Sequence, residues 1–182
     1  MHTGDIHNEV WIEQWTEEYL RVFSQEKQSI TATIDERGFK AEVYHVGSTA
    51  VRDMPGKEII DILVCPDPAF ALKDLIPALE SIDYTNYGEC GRPGRFFLTK
   101  GDKPLETFYI HLCRRDHQVA QDQLLFNKIL EEDEAIRQRY AYTKHLLEYE
   151  FSENRNMYRE LKGLFVQGVL SGYRLAAGKS KK

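Results

Sequence analysis

The sequence predicts an α+β fold: a short mixed β-sheet covered by an N-terminal helix and a C-terminal helical unit. Three observations carry this. All six prolines lie between Pro55 and Pro104, so long helices are confined to either side of that window. The run Ile59-Ile60-Asp61-Ile62-Leu63-Val64 is short and β-branched, the pattern of a strand buried on both faces. After Arg115 the apolar residues recur at helical spacing in three stripes. A chain of 182 residues suits one domain. Residues 1–115 read as an α/β core with its N-terminal helix, 116–177 as the helical part and 178–182 as a frayed tail.

The elements follow in order. Trp11 and Trp15 precede a stripe of Tyr19, Phe23, Ile30 and Ile34, which predicts a helix over 16–37 with Gly38 as its C′ residue. Ala41, Val43 and His45 alternate with Lys40, Glu42 and Tyr44, as in a strand. Cys65-Pro66-Asp67-Pro68 should end the next strand, and residues 69–82 read as helical. Asp74 as N-cap would put Pro77 in the first turn, where its missing N–H costs nothing. Gly88 to Gly94 is a turn-rich loop. Residues 95–99 and 105–113 flank Gly101-Asp102-Lys103-Pro104 as a β-hairpin. Leu124 to Leu130, Ile136 to Phe151 and Tyr158 to Tyr173 supply the three C-terminal helices, the last beginning near Asn154.

Apolar residues make up 42% and charged residues 29%, the balance of a folded domain. A net charge of −5 argues against non-specific nucleic-acid binding, which needs a basic face. No apolar run is long enough to span a membrane, and the first ten residues lack the pattern of a secretory signal, so the cytoplasm is the expected compartment. Cys65, Cys90 and Cys113 are odd in number and widely spaced, without zinc-ligand spacing.

Chemistry concentrates in His45-Val46-Gly47-Ser48-Thr49-Ala50-Val51 and in Asp61. A strand running into Gly-Ser-Thr brings a glycine, two hydroxyls and the free N–H groups of a helical turn together, which suits phosphate. The same segment is also an ordinary turn with a cap. A carboxylate at Asp61 is costly to bury without a partner, for which Lys57 or Arg95 would serve. Twelve residues separate Ser48 from Asp61. A Gly-Ser turn followed at this distance by a strand acid is the layout of the nucleotidyltransferase superfamily, whose turn holds nucleotide phosphates and whose strand carboxylates hold divalent metal.

The block from His45 to Val51, then Lys57 and Ile59 to Val64, resembles the signature of the GrpB family, H-V-G-S-T-A-V-P-G-L-x-x-K-P-I-I-D-I. Gly94-Arg95-Phe96-Phe97, Tyr109-Ile110-His111-Leu112, Leu124-Leu125-Phe126 and the Tyr-x-x-x-Lys pairs Tyr140/Lys144 and Tyr158/Lys162 extend the resemblance over nearly the whole chain. It implies a nucleotidyltransferase-like fold. Some relatives are fused to dephospho-CoA kinase, which suggests nucleotide or CoA metabolism. The chain departs from the pattern at Arg52-Asp53-Met54, where the family has Pro-Gly-Leu, and at Glu58, where it has Pro. Active nucleotidyltransferases carry Asp-x-Asp plus a third acid. Here the second position is Leu63, and Glu106 is the candidate third acid.

The site expected from these readings uses Asp61 and His111 as catalytic groups, with Asp61 as ligand to Mg²⁺. His45, Gly47, Ser48, Thr49, Lys57, Arg95, Lys144, Tyr158 and Lys162 would bind a nucleotide or CoA-like phosphate ligand. Each of these residues also has a bland account, such as lysines at the edge of amphipathic helices or a histidine satisfied in the core. Three functions remain open: a binding module with a degraded metal pair, a Mg²⁺-dependent nucleotidyl or phosphoryl transferase using Asp61, and an interaction or folding-accessory domain.

Overall fold

The computed structural model describes residues 9–101 and 107–179. Helix α1 (Glu18–Glu36) leads into strand β1 (Ala41–Val46), a single 3₁₀ turn (Ser48–Ala50) and strand β2 (Ile60–Pro66). Helix α2 (Leu72–Glu80) and the short strand β3 (Thr85–Asn86) follow, then β4 (Arg95–Lys100) and β5 (Phe108–Cys113). Helices α3 (Gln118–Glu132), α4 (Glu134–Phe151) and α5 (Arg155–Lys179) complete the chain. The strands form one sheet in the order β1-β2-β5-β4-β3, in which only the β2–β5 pair is parallel. The fold is therefore α+β with a mixed sheet, as the sequence predicts. No helix among the described residues is long and apolar enough to cross a membrane.

Alternation along the strands builds two layers. On one face Val43, Ile60, Ile62, Val64, Leu98, Ile110 and Leu112 meet Ile30 and Ile34 of α1 and Leu75, Ile76 and Leu79 of α2. On the other, Val46, Leu63, Cys65 and Cys113 meet Val119 and Ala120 of α3. Strand β2, paired on both sides, is thus buried on both faces. Packed against the second layer, Phe126, Ile129 and Leu130 of α3 join Tyr140 of α4, Leu170 of α5, and Val51 and Met54 of the segment after the 3₁₀ turn.

Helix α1 ends at Gly38, whose φ of +79° suits glycine, with Gly38 N–H bonded to Asp35 O and Phe39 N–H to Ile34 O. Three details differ from the sequence reading. Strand β2 continues through Cys65 and Pro66. Asp74 is not the N-cap of α2: Ala71 is, and the Asp74 carboxylate accepts its N–H at 3.2 Å. Pro77 consequently lies inside the helix and removes one backbone bond. Finally, α5 runs through Gly178 to Lys179, where a frayed tail was expected. The loop centre at Asp102, Lys103 and Pro104, together with Leu105 and Glu106, lies outside the described residues.

Candidate functional site

The site begins where β1 hands the chain to the Gly-Ser-Thr turn. Gly47 has φ +78°, and a β-carbon built on it would lie 2.5 Å from Asp61 Oδ2. Only glycine allows this approach between the turn and strand β2. Asn127 of α3 clasps the Gly47 peptide from both sides: its Oδ1 accepts the Gly47 N–H at 3.0 Å, and its Nδ2 donates to Gly47 O at 3.1 Å. The next two amides, of Ser48 and Thr49, open the 3₁₀ turn and donate to nothing among the described residues. Thr49 is buried, with its hydroxyl donating to Ile59 O at 3.1 Å and lying 3.0 Å from His45 Nε2. Trp15 Nε1 caps the turn by donating to Thr49 O at 3.0 Å.

Strand register arranges the floor. Asp61 opposes Val46 on β1 and Tyr109 on β5, while Leu63 opposes Tyr44 and His111. Asp61 Oδ1 and His111 Nε2 are 3.7 Å apart, and His111 Nδ1 is buried without a partner among the described residues. Leu63 lies on the same face as Asp61, fully buried. The position that would supply the second carboxylate of a metal pair is therefore filled by hydrocarbon. No three His, Cys, Asp or Glu side chains gather into a metal site among the described residues. This donor set does not fit the metal pair of the superfamily.

The walls carry two lysines. Lys144 of α4 is 1% exposed, and its ammonium nitrogen meets Ser48 Oγ at 3.0 Å and the carbonyl of Pro55. Burial, reinforced by the nearby charge of Lys162, pulls the Lys144 amine down to about 6. Lys144 also lies over the ring of Tyr140, 4.7 Å from its centroid. On α5, Lys162 repeats this arrangement over Tyr158 at 5.5 Å. Each pair is four residues apart, so each shares one helix face. Burial lowers Lys162, Asp61 opposes that by raising it, and Arg155 and Arg159 lower it further. Lys162 makes no ion pair within 4.0 Å among the described residues. Arg155 Nη2 reaches Tyr109 Oη at 3.3 Å.

The structure thus brings Gly47, Ser48, Asp61, His111, Lys144, Lys162 and Tyr158 into one neighbourhood. Lys57 follows Gly56 and lines an adjoining cavity. His45, the Thr49 side chain and Arg95 stand apart. His45 points to the α1 face, stacked on Phe23 at 4.4 Å, and burial pulls its imidazole down to about 4. Its role is to hold the turn through Thr49. Arg95 pairs with Cys113, at the opposite end of the strands from the Asp61–Tyr109 row, so it neither neutralises Asp61 nor reaches the turn. Four contributors escaped the sequence reading: Asn127, Arg155, Trp15 and Gly56. A β-carbon on Gly56 would lie 2.8 Å from Ser48 Cβ, so this glycine lets the Pro55 strap pass over Ser48. Asn127 carried a signal: it is a polar residue set between the apolar Leu124, Phe126, Ile129 and Leu130 of α3.

This sheet order, with a glycine turn leaning on a strand carboxylate, defines a nucleotidyltransferase-like fold. The structure described as Cid1 in complex with its short product ApU aligns over 74% of this chain and 42% of that one, with a TM-score of 0.51 at 12% identity, a likeness of fold alone. The chain belongs to the GrpB family: the family model described as GrpB protein matches residues 9–171. The crystal structure of the conserved protein GrpB from Enterococcus faecalis aligns with a TM-score of 0.76 and 26% identity, over 90% of this chain and 99% of that one. The UPF0157 protein PA4798 of Pseudomonas aeruginosa is 33% identical over 85% of this chain, and UPF0157 protein YqkA of Bacillus subtilis is 28% identical over 84%. The chain spans 63% and 41% of the lengths of these two relatives.

Proposed function

We propose that this protein binds a nucleotide or CoA-like phosphate ligand between the Gly47-Ser48-Thr49 turn and Lys162, without the carboxylate pair that a two-metal transferase needs. One observation carries the reading: the desolvated amine of Lys162 stands beside the turn without an ion pair among the described residues. Lys162 faces a single carboxylate, Asp61, in a protein whose net charge is −5. Desolvated cations without counter-ions are costly, and an anionic ligand offsets that cost. The free amides of Ser48 and Thr49 and the Lys162 ammonium are the groups that touch phosphate. Lys144 is a positioning residue that holds Ser48, and Asp61 helps to keep Lys162 charged.

Thermal-shift titration with ATP and with CoA tests this. At a hundred times the dissociation constant, stabilisation is about 2.7 kcal/mol, or roughly 5–10 °C for a domain of this size. Lys162→Met should reduce the shift severely, and Ser48→Ala should weaken it. Absence of any saturable shift in the unaltered protein would overturn the proposal.

A second reading, a Mg²⁺-dependent nucleotidyl or phosphoryl transferase, is favoured by the position of Asp61 on its strand, with His111 3.7 Å away. Leu63 counts against it, because it offers no carboxylate at the position of the second metal ligand.

A further inference from the structure

Beside the phosphate cleft lies a cavity of about 460 Å³, bounded by the chain before α1, the start of β2, and Tyr109 and Arg155. Its composition differs from that of the cleft. Four glutamates (Glu9, Glu13, Glu18 and Glu58) face it, against two cations, Lys57 and Arg155. Arg21 engages Glu18. Glu9, Glu13 and Glu58 have no ion-pair partner among the described residues. The aromatic walls are Trp11, Tyr19 and Tyr109. Trp11 is 47% exposed, unusual for an indole with a cavity beside it to fill. Of the two cations, Lys57 sits between Gly56 and Glu58 on the side of the glutamates, where carboxylates outnumber it, and Arg155 lies toward the cleft. Arg155 bonds Tyr109, next to the Asp61 row, and its charge acts on Lys162. Glu13 is bridged to Gly56, and after burial the charges of Glu58 and Glu13 push the Tyr19 phenol up.

Aromatic faces and carboxylates share one preference: both attract a positive charge, the ring through its quadrupole and the carboxylate directly. We infer that this cavity takes the amine-bearing part of a small molecule, with a protonated ammonium at Glu13 and Glu58 and a flat or apolar body against Trp11. This deepens the phosphate reading: a ligand spanning both places would be anionic at the Lys162 end and cationic at the Trp11 end. The cavity's preference for an ammonium does not depend on the phosphate site.

Two probes of matched shape separate charge from hydrophobicity: phenethylamine and its neutral analogue phenethyl alcohol. The chain has two tryptophans, and Trp11 lines the cavity, so indole fluorescence reports occupancy directly. The expected result is a saturable fluorescence change with the amine, and at least tenfold weaker binding of the alcohol. Raising the salt concentration should weaken the amine alone. The double variant Glu13→Gln/Glu58→Gln should bind the amine about tenfold more weakly while its affinity for the alcohol stays constant. Because these side chains are on the surface of the cavity, the variant's melting temperature serves as the check on folding. ATP titrated into the same variant separates the two readings: ATP binding should persist there and should fail in Lys162→Met. Equal affinity for the two probes, no saturable change with the amine, or an amine affinity indifferent to the double substitution would each overturn the inference.

Discussion

Replacing Gly47 by alanine is expected to destabilise the protein by about 2–6 kcal/mol and to abolish phosphate binding. Two costs combine. A non-glycine residue at φ +78° is strained by roughly 1–3 kcal/mol. The new methyl group also arrives 2.5 Å from Asp61 Oδ2, with the Asp61 β-carbon at 3.1 Å, and relieving such overpacking costs a further 1–3 kcal/mol, approximately. Because Asn127 holds the Gly47 peptide on both sides, the turn cannot swing away without losing two hydrogen bonds. Gly38 supplies the control. It has nearly the same φ, +79°, but nothing lies within 4 Å of a β-carbon there. Gly38→Ala should therefore show the conformational cost alone. Urea denaturation of both variants measures the difference, and equal losses would refute the contact with Asp61.

Lys144→Met is expected to change the pH dependence of stability more than any other single substitution. The folded amine titrates near 6, and its ordinary value is 10.5. Between these values the unfolded chain carries a proton on this lysine that the folded chain lacks. Stability therefore rises with pH across that window, by about 1.4 kcal/mol per pH unit for one proton. At pH 7 the burial of this amine costs the native state on the order of 4–5 kcal/mol, partly offset by its bonds to Ser48 and Pro55. Methionine fills a similar volume without the charge. The variant should be at least as stable as the parent at pH 7 and should lack the parent's gain between pH 7 and pH 9. It should also bind the phosphate ligand more weakly, because Ser48 loses its anchor. Parallel stability curves for the two proteins from pH 7 to 9 would contradict the assignment of the buried amine.

The fold was readable from the chain because its signals are local. The β-branched run of β2, the alternation of β1 and the three C-terminal stripes each carry their own period. Pro77 misled because one acidic residue can serve either at the N-cap or, as Asp74 does, three positions inside it. The two-residue strand β3 is too short to show a period. At the site, Gly47, Ser48 and Asp61 were legible through their spacing, and the lysines through their tyrosines. What escaped depends on register. Arg95 was grouped with the turn, but pairing with Cys113 carries it to the far end of the strands. His45 belongs to the turn in sequence, yet strand alternation points it at Phe23. Asp53 is instructive as well: it stands where the family pattern has glycine and takes φ +60°, a conformation that favours glycine.

The central claim is phosphate binding without a metal pair. Calorimetric titration of ATP into the unaltered protein, once in EDTA and once in Mg²⁺, tests it most directly. The account predicts saturable binding in EDTA, with an affinity that Asp61→Asn does not abolish and Lys162→Met does. Binding that occurs only with Mg²⁺, and disappears in Asp61→Asn, would contradict it and make the metal-dependent transferase the better description.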